Sequence, residues 1–383
     1  MASFRTVGLG VAAFLAMASA ARADITIGFV TSLSGPGSSI GIPYGRGIAA
    51  ALAYRGEVAG QKIKLIQLDD ASDPSAATRN ARKLAEEEKV DLLIGTATAP
   101  STIAMAAVAS ELKVPFIAVS PIQPTANPAD QWAIAIPQPA PLLVKVVADR
   151  MKRDGVKKVA YIGFSDAWGD LVYNGAKAAE ARGDIQVVTN ERYARTDTSV
   201  TGQVLKLIAA RPDGVLIGGS ATQGALPLLA LAERGYKGPT YGTTALVNPD
   251  FVRVGGKAAE GIQVSTGPVI VADQLPDGHF AKKPSAAFRE AFQKANGMPT
   301  TDGFSGYSFD AWLVFLDAAP RAMQKAQPGS PEFRTALRDA LLSTKEVPGV
   351  HAVYTFKPGE THGVDERSLV IVELKNGLWV YKP

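Results

Sequence analysis

The sequence predicts a two-lobed α/β protein, each lobe a doubly wound parallel sheet covered by helices on both faces, with a crevice between the lobes. Three observations lead there. Short apolar strands alternate with helices along the chain, the alternation runs once and then restarts, and no Gly/Ser-rich tether separates the two runs. Strands that alternate with helices form a parallel sheet buried on both faces. Two such units without a flexible tether are joined by close crossovers, and clefts of this kind bind ligands outside the carboxyl ends of the strands.

In chain order, Arg5 makes a short basic start and residues 7–20 form an apolar run broken only by glycine and serine. The run closes on Ala21, Arg22 and Ala23, the small-x-small pattern of a secretory leader, so residues 1–23 are expected to be removed and the mature chain to begin at Asp24. The run is too short for a stable bilayer anchor. Residues 25–30 then read as a buried strand, 31–41 as a Ser/Gly-rich loop, and 49–53 as part of a small-residue helix. Strands at 62–68, 90–94 and 115–119 enclose helices at 76–88 and 100–112.

The theme restarts with a helix at 142–153 and a strand at 158–163. Helices at 169–182, 200–210 and 225–234 follow, separated by strands at 185–191 and 214–218 and closed by a strand at 240–242. Further helices are expected at 286–295 and 308–324, with a terminal β segment at 353–356, 369–374 and 378–381. Asn376 followed by Gly377 is a strong hairpin-turn signal between the last two strands.

Composition excludes several classes of function. The chain has 383 residues and formal charge +4; the leader carries Arg5 and Arg22 and no acid, so the mature 360 residues carry +2. That balance, with no basic block, gives no footprint for nucleic acid. The chain has no cysteine, which removes disulfides, thiolate zinc sites and thiol nucleophiles. The three histidines, His279, His351 and His362, lack zinc-ligand spacing and are expected on loops. No Gly-x-Ser-x-Gly elbow occurs, and residues 35–41 match neither a P-loop nor the dinucleotide fingerprint. They are instead expected to form a close-approach loop with Ser38 and Ser39 facing the crevice. Asp69, Asp70 and Asp73 form an acidic cluster, read as strand closure plus an Asp73 cap on a helix starting at Pro74. No cofactor, metal or catalytic residue is expected.

The ordered motifs resemble a known family. Residues 25–30 followed by Leu33, Ser34, Gly35 and Pro36 resemble the opening strand and loop of the branched-chain amino-acid binding proteins. Leu68, Asp69 and Asp70 with Asp73 and Pro74, Leu93 to Gly95 with Pro100 to Thr102, and Val114 to Phe116 with Ser120 and Pro121 match the next units. Asp166, Ala167, Trp168 and Gly169 resemble a segment that usually reads Asp-x-Tyr-Gly. The resemblance covers essentially the whole mature chain. It implies a type I periplasmic binding protein: two Rossmann-like lobes, three hinge crossovers, and closure around one ligand. The expected division is 24–138 with 268–350 in the first lobe and 139–267 with 351–383 in the second.

The resemblance also implies a site. The family holds a ligand carboxylate where a strand meets a helix, which falls on residues 96–101 here. Thr98 or Ala99 would cap the helix, Pro100 fits its first position, and Ser101 is a neighbouring hydroxyl. Ala99 stands where the family keeps a contacting serine. The second carboxylate-side loop falls on Ser120, Pro121, Ile122 and Gln123, with the Gln123 amide as a candidate contact. Thr244 aligns with the glutamate that pairs the ligand ammonium in amino-acid binders, and the nearest acid is Asp250. Trp168, Ser220 and Ile40 align with tyrosines that face the ligand, and Ser39 lies on the first-lobe loop. An ammonium buried opposite a neutral hydroxyl is poorly compensated.

The expected function is therefore the periplasmic solute-binding component of an ABC importer. Its ligand would be a small carboxylate, an aromatic or keto acid rather than an α-amino acid, captured by hinge closure. The alternatives are an amino-acid binder of the branched-chain type and a ligand-binding sensor of the same fold; a secreted hydrolase lacks its motifs. The expected partners are the small-molecule ligand and an inner-membrane ABC permease, with no nucleic acid, and the protein is expected to be a monomer in the periplasm.

Overall fold

The computed structural model describes residues 24–122 and 130–383. The expected leader, residues 1–23, and Gln123 of the expected site lie outside the described residues. Strand β1 (Ile25–Thr31) is buried on both faces, and helix α1 (Ser38–Tyr54) follows it. The hairpin β2 (Glu57–Val58) and β3 (Gln61–Asp69) leads to α2 (Pro74–Arg82), which continues into a π turn at Lys83–Glu87. Next come β4 (Leu92–Gly95), α3 (Ala99–Leu112), β5 (Phe116–Ala118) and β6 (Ala133–Ala135). Together they form a sheet in the order β2-β3-β1-β4-β5-β6, parallel except for the β2–β3 hairpin.

The second lobe begins with α4 (Ala140–Arg153), β7 (Lys158–Phe164), α5 (Ala167–Ala181), β8 (Gln186–Tyr193) and α6 (Thr201–Ala209). It continues through β9 (Gly214–Gly218), α7 (Ala221–Gly224), α8 (Leu226–Glu233), β10 (Thr240–Thr243), α9 (Pro249–Ala259) and β11 (Gln263–Thr266). The chain then returns to the first lobe as α10 (Lys282–Asn296), α11 (Phe304–Met323) and α12 (Pro331–Leu341), followed by the two-residue pair β12 (Val347–Pro348) and β13 (Val353–Tyr354). Strands β14 (Val370–Lys375) and β15 (Leu378–Lys382) complete the second sheet, in the order β15-β14-β11-β10-β9-β7-β8. Asn376 and Gly377 turn the last hairpin with φ of 52° and 73°, the left-handed pair such a turn requires.

One core lies in the second lobe, between its sheet and helices such as α4, α5 and α8. The first lobe has two, one on each face of its sheet: the larger against α1, α10, α11 and α12, the smaller against α2 and α3. The chain crosses between lobes three times. Ile136 packs in the first lobe and Ala140 in the second; after β11 ends at Thr266, Val271 and Leu275 still pack in the second-lobe core and Phe288 packs in the first; Phe356 is first-lobe and Leu369 second-lobe.

The third crossing corrects the expected lobe boundary. A return to the second lobe at 351 is too early, because Ala352, Tyr354 and Phe356 belong to the first-lobe core and the Ala135 N–H donates to the Thr361 carbonyl. A buried carboxylate on α11 is the cause: Asp310 accepts from the Val350 and His351 N–H groups and from the Tyr354 hydroxyl, which pins this segment to the first lobe.

A second correction concerns residues 38–41. They are the first turn of α1 rather than a loop, since Ile40, Tyr44, Gly47 and Ile48 fall on one buried face. A Cβ on Gly41 would lie 2.0 Å from the Ser32 carbonyl oxygen, so glycine there lets the helix start hard against the end of β1. Pro43 has no N–H to return to the Ser39 carbonyl four residues back. That oxygen instead accepts from Asn248 Nδ2 of the second lobe at 2.5 Å. The lobes also meet at Ala99, which packs in the second-lobe core, and at Ala221, which packs in the first.

Candidate functional site

The acidic cluster of the first lobe ties together the loops at the carboxyl ends of its strands. Asp69 accepts from the Leu33 and Ala71 N–H groups and from the Ser34 hydroxyl. Asp70 accepts from the Ser32 and Thr96 hydroxyls at 2.6 and 2.5 Å, which ties the loops after β1, β3 and β4 together. Asp73 caps α2 through the Ala76 N–H. These carboxylates are occupied in holding loops.

Between the lobes lies a narrow cavity of about 30 Å³, room for a water or two in this closed arrangement. Its first-lobe wall includes Ile40 and Tyr44 of α1, Ala97 and Ala99 at the start of α3, Ser120 after β5, and Phe304 and Tyr307 of α11. Trp168 of α5, Arg195 after β8, Ser220 after β9, and Thr244 and Ala245 after β10 form the second-lobe wall. The wall is apolar and aromatic over most of its extent. Arg195 is its one charged residue, and no carboxylate lines it among the described residues.

Most polar groups in the wall are engaged by protein. The Tyr44 hydroxyl donates to the Val119 carbonyl at 2.5 Å, and burial pushes its pKa well above the usual tyrosine value. Trp168, which lines the cavity, donates from Nε1 to the Gly219 carbonyl at 3.3 Å. Thr244 Oγ1 bonds the hydroxyls of Thr266 and Tyr307, and Tyr307 in turn donates to Gln138 Oε1 at 2.8 Å. Arg195 lies under the Trp168 segment: its Nε donates to Asp166 Oδ2 at 2.6 Å, its Nη1 to the Ser220 hydroxyl at 3.0 Å, and its guanidinium carbon sits 4.1 Å from the Phe164 ring centroid. Asp166 also caps α5 through the Trp168 and Gly169 N–H groups.

Two lobes with parallel sheets, three crossovers and a closed cleft describe a known architecture, and residues 24–377 match the sequence profile of periplasmic binding proteins. The chain belongs to the periplasmic binding protein family. Its fold is that of the type I periplasmic binding proteins, and its relatives include Leu/Ile/Val-binding proteins. Over 388 aligned residues it is 24% identical to the Leu/Ile/Val-binding protein BraC3 of Rhizobium johnstonii, covering 98% of each chain. An extracellular ligand-binding receptor from Rhodopseudomonas palustris HaA2 is 40% identical, with a TM-score of 0.89, over 94% of this chain and all of that one. A second R. palustris protein, an ABC-transporter solute-binding protein in complex with benzoate, shares the fold at 21% identity and TM-score 0.75, over 94% and 95% of the two chains. The named relatives are solute-binding proteins rather than enzymes.

In this periplasmic binding protein, Ile40, Ala99, Ser120, Trp168, Ser220 and Thr244 come together in the cavity wall. Ser39, Thr98, Ser101 and Ile122 do not line it. Thr98 caps α3 and its hydroxyl donates to Ser101 Oγ at 3.0 Å, so the two buried hydroxyls face each other beneath the helix start. Ile122 is buried in the smaller first-lobe core, and Ser39 faces Asn248 through its carbonyl. Of the histidines expected on loops, His351 and His362 are in irregular segments but packed at the hinge: His351 is fully buried against Tyr307, and the His362 ring nitrogens face the Pro137 and Ile122 carbonyls at 2.8 and 3.2 Å.

Sequence reasoning missed Tyr44, Arg195, Phe304 and Tyr307. Arg195 follows the carboxyl end of β8, the position where α/β folds place ligands, and that rule could have found it. The two α11 residues were hidden because the helix was expected to begin only at 308, whereas its first turn starts at Phe304.

Proposed function

We propose that this protein captures a small carboxylate with an apolar body, an aromatic or keto acid, in the closed cleft and presents it to an inner-membrane ABC permease. One observation supports this above all: the described wall holds a guanidinium and no acid. An α-amino acid brings an ammonium that needs a carboxylate partner once water is excluded. Where the amino-acid binders of this family keep a glutamate, Thr244 offers a neutral hydroxyl already bonded to Thr266 and Tyr307. Trp168, Phe304, Tyr44 and Ile40 surround the body of the ligand with apolar surface. The benzoate complex of a protein with the same fold is consistent with such a cargo.

The name of the Rhizobium relative favours a second reading, leucine-type amino acids. A thermal-shift panel separates the two, because a ligand that binds only the folded state raises the melting temperature. Benzoate, 4-hydroxybenzoate, cinnamate, phenylacetate and phenylpyruvate are tested against leucine, isoleucine and glutamate. Stabilisation by at least one acid of the first group and by none of the amino acids is expected. Stabilisation by leucine or glutamate instead sinks the proposal.

A further inference from the structure

We infer that Arg195 is the anion receptor of the cleft: its guanidinium, braced by Asp166, takes the ligand carboxylate on the second lobe, and the Ser220 hydroxyl adds a donor. This deepens the carboxylate reading and rests on it. The family resemblance implies the opposite polarity, with the carboxylate on the first lobe at residues 96–101. There the Thr98 and Ser101 hydroxyls are turned to each other and neither residue lines the cavity.

Donors still available to a ligand point to the second lobe. Arginine carries five N–H groups, and among the described residues Asp166 and Ser220 engage two of those on Arg195. Ser220 is positioned at the start of α7 yet makes no side-chain cap bond. Its oxygen accepts from Arg195, so its own proton is free to donate. The hydroxyls of Tyr44 and Tyr307 and the indole N–H of Trp168 are already committed to protein acceptors.

Charge arrangement points the same way. Asp166 would neutralise Arg195 if it served nothing else, but it also accepts two N–H groups at the N-terminus of α5, which draws off part of its charge. The guanidinium is held on its Nε edge by Asp166 and over the Phe164 ring, so its orientation is set before ligand arrives. Such a preset fork recognises a planar carboxylate better than a flexible ammonium does. The ligand class is therefore a monoanionic aromatic acid, with its carboxylate at Arg195 and its ring against Trp168 and the first-lobe aromatics.

Calorimetric titration tests this with the acids of the panel above, the amide of whichever acid binds best, and wild-type, Arg195→Gln and Arg195→Lys proteins freed of co-purified ligand. Wild type is expected to bind the acid and to bind its amide on the order of 100-fold more weakly, with Arg195→Gln losing a similar factor for the acid. Arg195→Lys, a point charge without the fork, should recover part of the loss. Unchanged acid affinity in Arg195→Gln overturns the Arg195 assignment while the carboxylate reading stands. Failure of wild type to bind any acid overturns both. If Arg195→Gln does not fold, equal affinity of wild type for acid and amide overturns the assignment on its own.

Discussion

His351 illustrates what burial does to single residues at the hinge. Its ring stacks on Tyr307 at 3.8 Å, Nε2 donates to the Gly303 carbonyl at 2.7 Å, and Nδ1 has no partner among the described residues. Protonation would add a buried N–H with nothing to accept it, and burial pushes the pKa down to about 3. Asp310, held beside it by hydrogen bonds from the Val350 and His351 N–H groups, is pushed the other way: burial outweighs three donors and raises it to about 7. The signs are opposite. The lowered histidine contributes stability present above its ordinary value of 6.5 and lost as pH falls toward 3. The raised aspartate contributes stability full below its ordinary 3.8 and lost as pH rises through about 7. Between pH 4 and 6.5 the two offset each other. Replacing His351→Gln should therefore make unfolding free energy in urea decline more steeply with rising pH in that window, by at most about 1.4 kcal/mol per pH unit. A profile that superimposes on wild type would exclude this account.

At the scale of elements, the start of α5 positions both Trp168 and the Asp166–Arg195 pair. A Cβ on Gly169 would lie 1.8 Å from the Phe164 carbonyl oxygen, so only glycine lets α5 begin against the end of β7. Gly169→Ala should push the helix start away, cost about 1–3 kcal/mol of stability, and weaken the acid that wild type binds. Urea melts and titration check it; a variant with wild-type values in both would show that the helix start tolerates displacement. Elements with simple periodicity were legible in the sequence: β1, β9, α3 and the Asn376–Gly377 hairpin lie where alternation and turn chemistry put them. Helix α1 was not, because Gly35, Gly37 and Gly41 read as loop, and the close approach that makes Gly41 necessary is visible only once Ser32 is in place. The lobe boundary near 351 was misread for a similar reason, since a buried aspartate on α11 draws residues 350–354 back to the first lobe.

For the whole molecule, one hydrogen-bonded chain links the cleft to the hinge. Thr244 lines the cavity and bonds Tyr307; Tyr307 donates to Gln138 at the first crossover; Gln138 Nε2 donates to the Ser368 carbonyl at the third; and Thr266, which ends β11 at the second, bonds Thr244. A cleft residue is thus in register with all three crossings in the closed arrangement. Hinge closure is favoured by contacts present only when closed. Tyr307→Phe removes the central hydroxyl and should weaken ligand affinity up to about 10-fold, the worth of one hydrogen bond. Small-angle scattering should also show a more open free protein. Unchanged affinity together with an unchanged scattering profile would place the chain outside the closure equilibrium.

What the sequence determined by itself is the class of fold, the restart that makes two lobes, the crevice between them, and the neutral side chain at Thr244. These follow from local burial periods and from residue identity at aligned positions, both of which are properties of short segments. Only the tertiary structure decided that Tyr44, Arg195, Ser220, Thr244 and Tyr307 converge on one cavity, and which of their donors protein partners already engage. Convergence depends on contacts between residues more than a hundred positions apart, and donor engagement on distances of a few tenths of an ångström. Neither leaves a period in the chain.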